Sequence, residues 1–512
     1  MVRWVTALAL SALAFAAASA SASGAASDPY ATYGGIGSST PDGVHRYMGT
    51  REPLVRADDD HSRDLYDIDN GAPELVSIGP DGGNRDGVCY SIPPFITEPC
   101  DANFRGASAD GSRVYFESES LRSSEPSNGL YKYVRKGNQL ELAPQIAETP
   151  DDSVRILQDG NGCLTRQTTS GSTVISTGPA LGGGCARADL VDLADDGNSV
   201  LFTTSAALIA SDTCCGDLYR WRPTGLELLS KGSTGQGGTA LGYPTDRRYF
   251  RQRVATSDGS RALFESTAKL IPQDTDACLD IYESTPAGLV LVSGGSSSPC
   301  ADAQFAGASA DLSRVAFETR EPLTPADTND ESDVYQWHGG SASLVGVDSD
   351  GSAFPNGSKY LDESVDGSRV FFFAADRRPF PEDYGYGGLY AKAGGTTTIL
   401  NEGDPTWGPG SWVGASDDGA TAYFNSTAPL APEDTDEGKA DLYRSSGGVL
   451  ELVSQGSGGQ QTTQTSIAEG DSVSADGQRV VFRSLQELTW DDDDCGRIDF
   501  YEAVGDAFAL TT

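Results

Sequence analysis

Carboxylates gather ahead of tyrosines at regular places in this chain. Asp58, Asp60 and Asp64 precede Tyr66; Asp274, Asp276 and Asp280 precede Tyr282; Asp327, Asn329 and Asp333 precede Tyr335; Asp434, Asp436 and Asp441 precede Tyr443. A more acidic version, 491–494 with Asp499, precedes Tyr501. D-x-[DN] spacing lets alternate side chains converge inside one turn, and a hard cation such as Ca²⁺ collects six to eight oxygens in this way. The EF-hand pattern is incomplete, with no Glu at its twelfth position and no central Gly. The other reading is structural, with aspartates capping loop amides. Both stay open. No motif requires a cofactor, and structural Ca²⁺ is the one ion these loops suit.

Other chemistry is thinly supplied. The three histidines, His45, His61 and His338, form no H-E-x-x-H pair, and no G-x-S-x-G elbow occurs. With 74 Asp and Glu, a carboxylate pair for glycoside chemistry can be drawn almost anywhere and so carries no information. The balance leans away from catalysis. Trp407 and Trp412 flank Gly408-Pro409-Gly410 and break the surrounding pattern, which makes them candidate contacts for a glycan or peptide, with packing as the alternative.

The elements that must hold these loops are repeats. An Asp, usually followed by Gly, opens each copy at Asp42, Asp110, Asp196, Asp258, Asp311, Asp366, Asp418 and Asp476. Six residues on stands Phe in all copies except the first, which has Met48. An acidic-apolar-Tyr element follows, as in Asp217-Leu218-Tyr219 or Asp333-Val334-Tyr335, with Gly129-Leu130-Tyr131 and Gly388-Leu389-Tyr390 in two slots. Small residues before the Asp suit an inner strand, Asp-Gly a tight turn, and Arg-Val-Ala-Phe alternates as a half-buried strand does. Asp-Val-Tyr and Ser-Leu-Val supply two more strands. The period of 52 to 68 residues, with one interval of 86, predicts an all-β, eight-bladed propeller of four-stranded antiparallel blades, seven being the alternative. The recurring Phe and Tyr are expected to pack between sheets. The Arg of Ser-Arg-Val is expected to meet carboxylates of the neighbouring blade.

The repeat S-x-D-G-x-R-V-x-F … L-x-P-x-D-T-D … D-L-Y … L-V-S, best kept from Asp258 to Ser293, resembles TolB-type, WD-repeat-like bacterial β-propellers. The resemblance covers the chain after about residue 35 and implies a fold; such propellers serve as scaffolds, binding proteins and enzyme accessory domains.

Residues 1–26 read as a signal peptide, with Arg3, a short apolar run and small residues around Ala18-Ser19-Ala20; 27–512 would be the propeller. A net charge of −38 argues against nucleic acid and anionic membranes as partners. Nine cysteines in an exported chain suggest disulfides. Cys89–Cys100, Cys163–Cys185 and Cys278–Cys300 are the natural pairs, with Cys214, Cys215 and Cys495 left over. In a meandering blade the loops after the second strand and the linkers between blades share one face, long and acidic; the Asp-Gly turns lie on the other. The long face is the expected working face. The function expected is a secreted or cell-envelope, monomeric, non-catalytic module that binds a protein or cell-envelope polymer without entering the membrane. The alternative is a secreted hydrolase or lyase acting on a glycan or peptide at the axial channel.

Overall fold

The structure is a computed structural model. It describes short segments between 38 and 149, then 153–233 without 213–215, 254–294, 300–374, 387–401, 411–455 without 436–437, and short segments between 466 and 510. The leader, His61, Asp60, Trp407, Asp436, Cys100, Cys214, Cys215, Cys495 and the run 491–494 lie outside the described residues.

Repeats in the described part of the chain begin with a locked turn. Ser309 Oγ donates to Asp311 at 2.8 Å, Asp311 accepts the Ser313 amide at 2.9 Å, and Ser309 Oγ accepts the Arg314 amide at 3.0 Å. Ser364–Asp366, Ser416–Asp418 and Ser474–Asp476 repeat the arrangement. The turn needs a left-handed residue, hence glycine. Among the described turns sheet 6 departs: Leu312 stands there with φ 54°, fully buried.

From these turns the chain builds consecutive antiparallel meanders, each from one continuous stretch. They are sheet 1 (38–75), sheet 2 (103–142), sheet 3 (145–174), sheet 4 (189–228), sheet 5 (262–291), sheet 6 (303–344), sheet 7 (358–399), sheet 8 (411–452) and sheet 9 (466–510). All have four strands except sheet 5, where the bridge Ala255–Ala262 stands in place of the innermost strand. A further hairpin pairs Val88–Tyr90 with Thr97–Pro99.

Among the described residues there are thus nine such sheets, against eight repeats counted from the sequence. The added one is sheet 3, which occupies what reads as a long linker. Its turn is opened by Thr149, whose Oγ1 accepts the Val154 amide at 3.1 Å as Ser309 does for Arg314. Leu157 takes the place of the phenylalanine, and the second and third strands, Val154–Gln158 and Leu164–Thr168, are joined by a short turn instead of an acidic loop. A second correction concerns sheet 2. Tyr133, not Tyr131, pairs with Phe116 and receives the Leu121 amide.

Phe and Tyr face each other across the second and third strands, with ring centroids 5.4–6.0 Å apart in seven sheets. These pairs are buried in clusters that span adjacent sheets: Phe202 and Tyr219 pack with Ile156 and Leu164 of sheet 3, and Phe317 and Tyr335 with Val254 and Ile281 of the sheet 5 region. The packing also joins the first sheet to the last. Met48, Tyr66, Ile68 and Leu75 of sheet 1 pack with Phe500 of sheet 9. Beside them Arg46 of sheet 1 grips Glu502 of sheet 9 with both terminal nitrogens, and Arg479 holds the same carboxylate at 3.0 Å. The first and last sheets are therefore neighbours, and the ring closes sheet against sheet without exchange of strands.

The fold is a β-propeller.

Candidate functional site

The acidic loops are wired into the fold. Tyr66, Tyr219, Tyr282, Tyr335 and Tyr443 each donate a phenolic hydrogen bond to the first aspartate of their own loop: Asp58, Asp212, Asp274, Asp327 and Asp434. The same phenolic oxygens accept the amides of Leu54, Leu208, Leu270, Leu323 and Leu430, which pins the chain where it leaves the second strand. The last aspartate of each loop has an equally fixed task. Asp64, Asp217, Asp280, Asp333 and Asp441 accept a serine hydroxyl from Ser77, Ser230, Ser293, Ser358 and Ser454. Each serine in turn accepts the amide that follows the aspartate. Asp212 and Ser358 escaped the sequence reading, although Asp212 stands seven residues before its tyrosine, close to the spacing of the other copies, and the other serines entered it only as the end of the repeat motif.

What remains for a cation is the middle of the loop. In sheet 5 one carboxylate oxygen each from Asp274, Asp276 and Asp280 lies within 4.8 Å of the other two. Burial pushes Asp280 up to about 7, with Asp274, Asp276 and Glu321 adding to the shift. Three convergent carboxylates, two of them buried, suit the chemistry of a hard divalent ion. In sheet 6 the same space is filled by the protein itself: Asn329 Nδ2 donates to Asp333 at 3.0 Å and to the Phe354 carbonyl at 2.8 Å. Its Oδ1 accepts the Glu331 amide at 2.6 Å. Asn329 thus presents a nitrogen, not an oxygen, to the cradle.

These loops and the interblade linkers share one face. Asn329 reaches Phe354, the Ser358 amide meets the Ser332 carbonyl at 2.9 Å, and the Ala303 amide meets Leu279 at 2.8 Å. The same face carries two disulfides. Cys163–Cys185 and Cys278–Cys300 tie the start of a third strand to the following linker, each across 22 residues. Cys89 lies in the hairpin strand Val88–Tyr90.

The opposite face is short and knitted together. At four seams the residue before the turn Asp joins its counterpart in the next sheet through the backbone. Asp195 donates to Ser257 at 2.9 Å, Ala310 to Val365 at 2.9 Å, Val365 to Asp417 at 2.8 Å and Asp417 to Ala475 at 2.7 Å. Arg261 adds to this face: it grips Glu283 of its own sheet and donates to the carbonyls of Asp311 at 2.7 Å and Leu312 at 3.0 Å in the next. Arg261 therefore meets a carboxylate at home and carbonyls next door, whereas Arg314 and Arg369 act on the carboxylates expected of them in the neighbouring sheet, Asp366 and Asp418, and help their turn hydrogen bonds to hold them below the usual carboxylate range.

His45 bonds Asp67 at 2.9 Å and His338 the Ser313 carbonyl at 2.9 Å. Trp412 sits in the inner strand Ser411–Ala415, its ring 4.7 Å from that of Phe371 in sheet 7. The inner strands are not lined by small residues alone. Asp192 and Asp362 occupy the bulge position where sheet 6 has Gly307 and sheet 8 has Gly414, and Glu363 follows Asp362. Among the described residues no helix is long and apolar enough to cross a membrane.

No protein-family model matches the chain, so the TolB-type resemblance of the repeat rests on its motif. No curated protein matches it either. Solved structures do. The β-propeller domain of the Trilobed protease from Pyrococcus furiosus aligns over 78% of this chain and 95% of its own, at 10% identity and a TM-score of 0.31. A prolyl endopeptidase aligns over 78% of this chain and 55% of its own, at 14% identity and 0.38. An oligogalacturonate lyase in complex with manganese aligns over 78% and 87%, at 11% identity and 0.29.

Proposed function

We propose that the chain is an extracytoplasmic binding module, exported by a leader at 1–26, that engages a protein or cell-envelope polymer through its long-loop face. The observation that carries this reading is the asymmetry of the two faces. Backbone hydrogen bonds on the Asp-Gly face join sheet 4 to sheet 5 at Asp195 and run from sheet 6 to sheet 9, from Ala310 to Ala475. The other face presents long connections, anchored by tyrosine relays and two disulfides, with charged groups exposed on them such as the ion-paired Arg320 and Glu331, 3.7 Å apart. Rigid scaffolds with loops held at the base are suited to recognition. Ca²⁺ at Asp274, Asp276 and Asp280 would stiffen this face; the fit of three carboxylate oxygens supports it.

The test is co-sedimentation of the purified protein with isolated cell-envelope polymer and with envelope proteins. Charge-reversing substitutions at Arg320 and Glu331 should weaken binding at least tenfold, while Asp258→Asn on the short face should leave it unchanged. Equal effects from both faces would overturn the reading.

A second reading, hydrolase or lyase, is favoured by the inner-strand carboxylates Asp192 and Asp362, which a passive Gly, Ala and Ser lining would lack. It belongs to the classes represented by the peptidases and the lyase above. Turnover of a glycan or peptide that Asp362→Asn abolishes would establish it in place of the binding module.

A further inference from the structure

The arginine that follows each Asp-Gly turn has a regular partner in sheets 5 and 9. Arg261 bonds Glu283 and Arg479 bonds Glu502, both on the third strand of their own sheet. In sheet 6 that strand position holds Gln336, whose Oε1 accepts from Arg314 at 3.2 Å. A carboxyl group is nevertheless present at this seam. It arrives from the inner strand of sheet 7 as Glu363, at a register position where sheets 6 and 8 carry Ala308 and Ala415.

Glu363 is 8% exposed, and neither of its carboxyl oxygens has a hydrogen-bond partner. Gly307 of sheet 6 makes room for it: a Cβ there would come 2.8 Å from Glu363 Oε1 and 2.2 Å from the Tyr360 hydroxyl oxygen. Two donors of sheet 6 near it are already engaged. Gln336 Nε2 donates to the Gly367 carbonyl at 2.8 Å, and Arg314 is held on Gln336. Burial holds the Glu363 carboxyl well above the usual carboxylate range. Asp362 and Asp366 of its own sheet add to this, while Gln336 and Arg314 of sheet 6 pull the other way. Glu318 of sheet 6 faces the same strand further along and is spent on the Tyr360 amide at 2.7 Å.

We propose that Glu363 makes the seam between sheets 6 and 7 a proton-operated joint. With the carboxyl neutral the two sheets stay packed. Release of the proton to solvent leaves a buried carboxylate whose nearest side-chain donor, Gln336, is already held by the Gly367 carbonyl, a state the seam relieves by opening. The joint has a defined output. Glu363 lies two residues before Val365, which accepts the Ala310 amide across the same seam. Opening would therefore cut the backbone belt at one point and loosen the axis on the short face.

Hydrogen exchange of the intact protein tests this directly. After correction for intrinsic rates, protection of the strand Ser358–Glu363 should fall at least tenfold between pH 5.5 and pH 8.5. Glu363→Gln, neutral at both values, should hold it within threefold, and Glu363→Ala, the residue sheet 8 carries, should do the same. The strand Val200–Thr204 of sheet 4, which packs beside Leu193 instead of a glutamate, serves as reference within the same protein. An unchanged wild-type seam, or an equal loss in Glu363→Gln, would overturn the proposal.

Discussion

Glu502→Ala should break the ring at its closing seam. Arg46 and Glu502 are each 3% exposed, and the guanidinium meets the carboxylate through two nitrogens. Removing the carboxylate strands Arg46 beside a second cation, Arg479, which bonds the same oxygen. One-sided removal of a buried ion pair costs about 3–5 kcal/mol. The size of the effect can be separated from the mere act of mutation, because the repeat supplies its own control. Position four after the turn Asp is Val in sheets 2, 4, 6, 7 and 9 (Val114, Val200, Val315, Val370, Val480), where sheet 1 has Arg46. Arg46→Val therefore installs the ring's usual residue. It also leaves Glu502 its bond to Arg479, the arrangement sheet 5 uses with Arg261 and Glu283. That variant should lose no more than about 1 kcal/mol, since a buried pair replaced by apolar packing is often neutral. Urea unfolding followed by circular dichroism measures both variants, and limited proteolysis should cut Glu502→Ala first within sheets 1 and 9. A cost below about 1 kcal/mol for Glu502→Ala, or an equal cost for Arg46→Val, would refute the argument that this ion pair holds the seam.

Burial pushes Asp217 and Asp280 up to about 7 and Asp333 and Glu265 to about 6. Raised folded-state values mean that the folded chain binds the extra protons, so metal-free stability should fall as pH rises from about 4 to 7, by at most about 1.4 kcal/mol per pH unit per group; melting temperatures in EDTA across that range check the sign. At pH 7.5 millimolar Ca²⁺ should recover stability, and Asp276→Asn should remove the recovery; equal melting temperatures in EDTA and Ca²⁺ would reject the ion. Leu312→Gly relieves a left-handed leucine worth about 1–2 kcal/mol but empties a buried site worth about 2–5 kcal/mol, so chemical denaturation should report a net loss. Cys278→Ser opens a loop of 22 residues and should cost about 3 kcal/mol, read from the denaturation midpoint, with peptide mapping confirming both bridges in the parent protein.

The repeat was legible because its marker residues do the structural work. The turn aspartate, the phenylalanine and the tyrosine are the hydrogen-bonding and stacking groups that define a sheet, so their spacing traces the ring. Sheet 3 was hidden because Thr149 and Leu157 stand in for the serine and phenylalanine, and its second and third strands meet through a short turn. Tyr131 misled because a second tyrosine, Tyr133, stands two residues on and takes the register position opposite Phe116. At the acidic loops, spacing alone could not separate Asp274, taken by Tyr282, from Asp276, which faces the open cradle. That distinction depends on which tyrosine folds back over which loop. Glu363 gave no signal at all, since its meaning lies in the absence of a partner across a seam.

The closure of sheet 1 on sheet 9 makes the order of the sheets cyclic. Every sheet is cut from one continuous stretch, and the closing seam is built like the others apart from one arginine. Which sheet comes first in the chain is then a matter of genetic punctuation more than of physics. A chain rearranged to start at sheet 6, with a linker joining sheet 9 to sheet 1, should assemble the same ring.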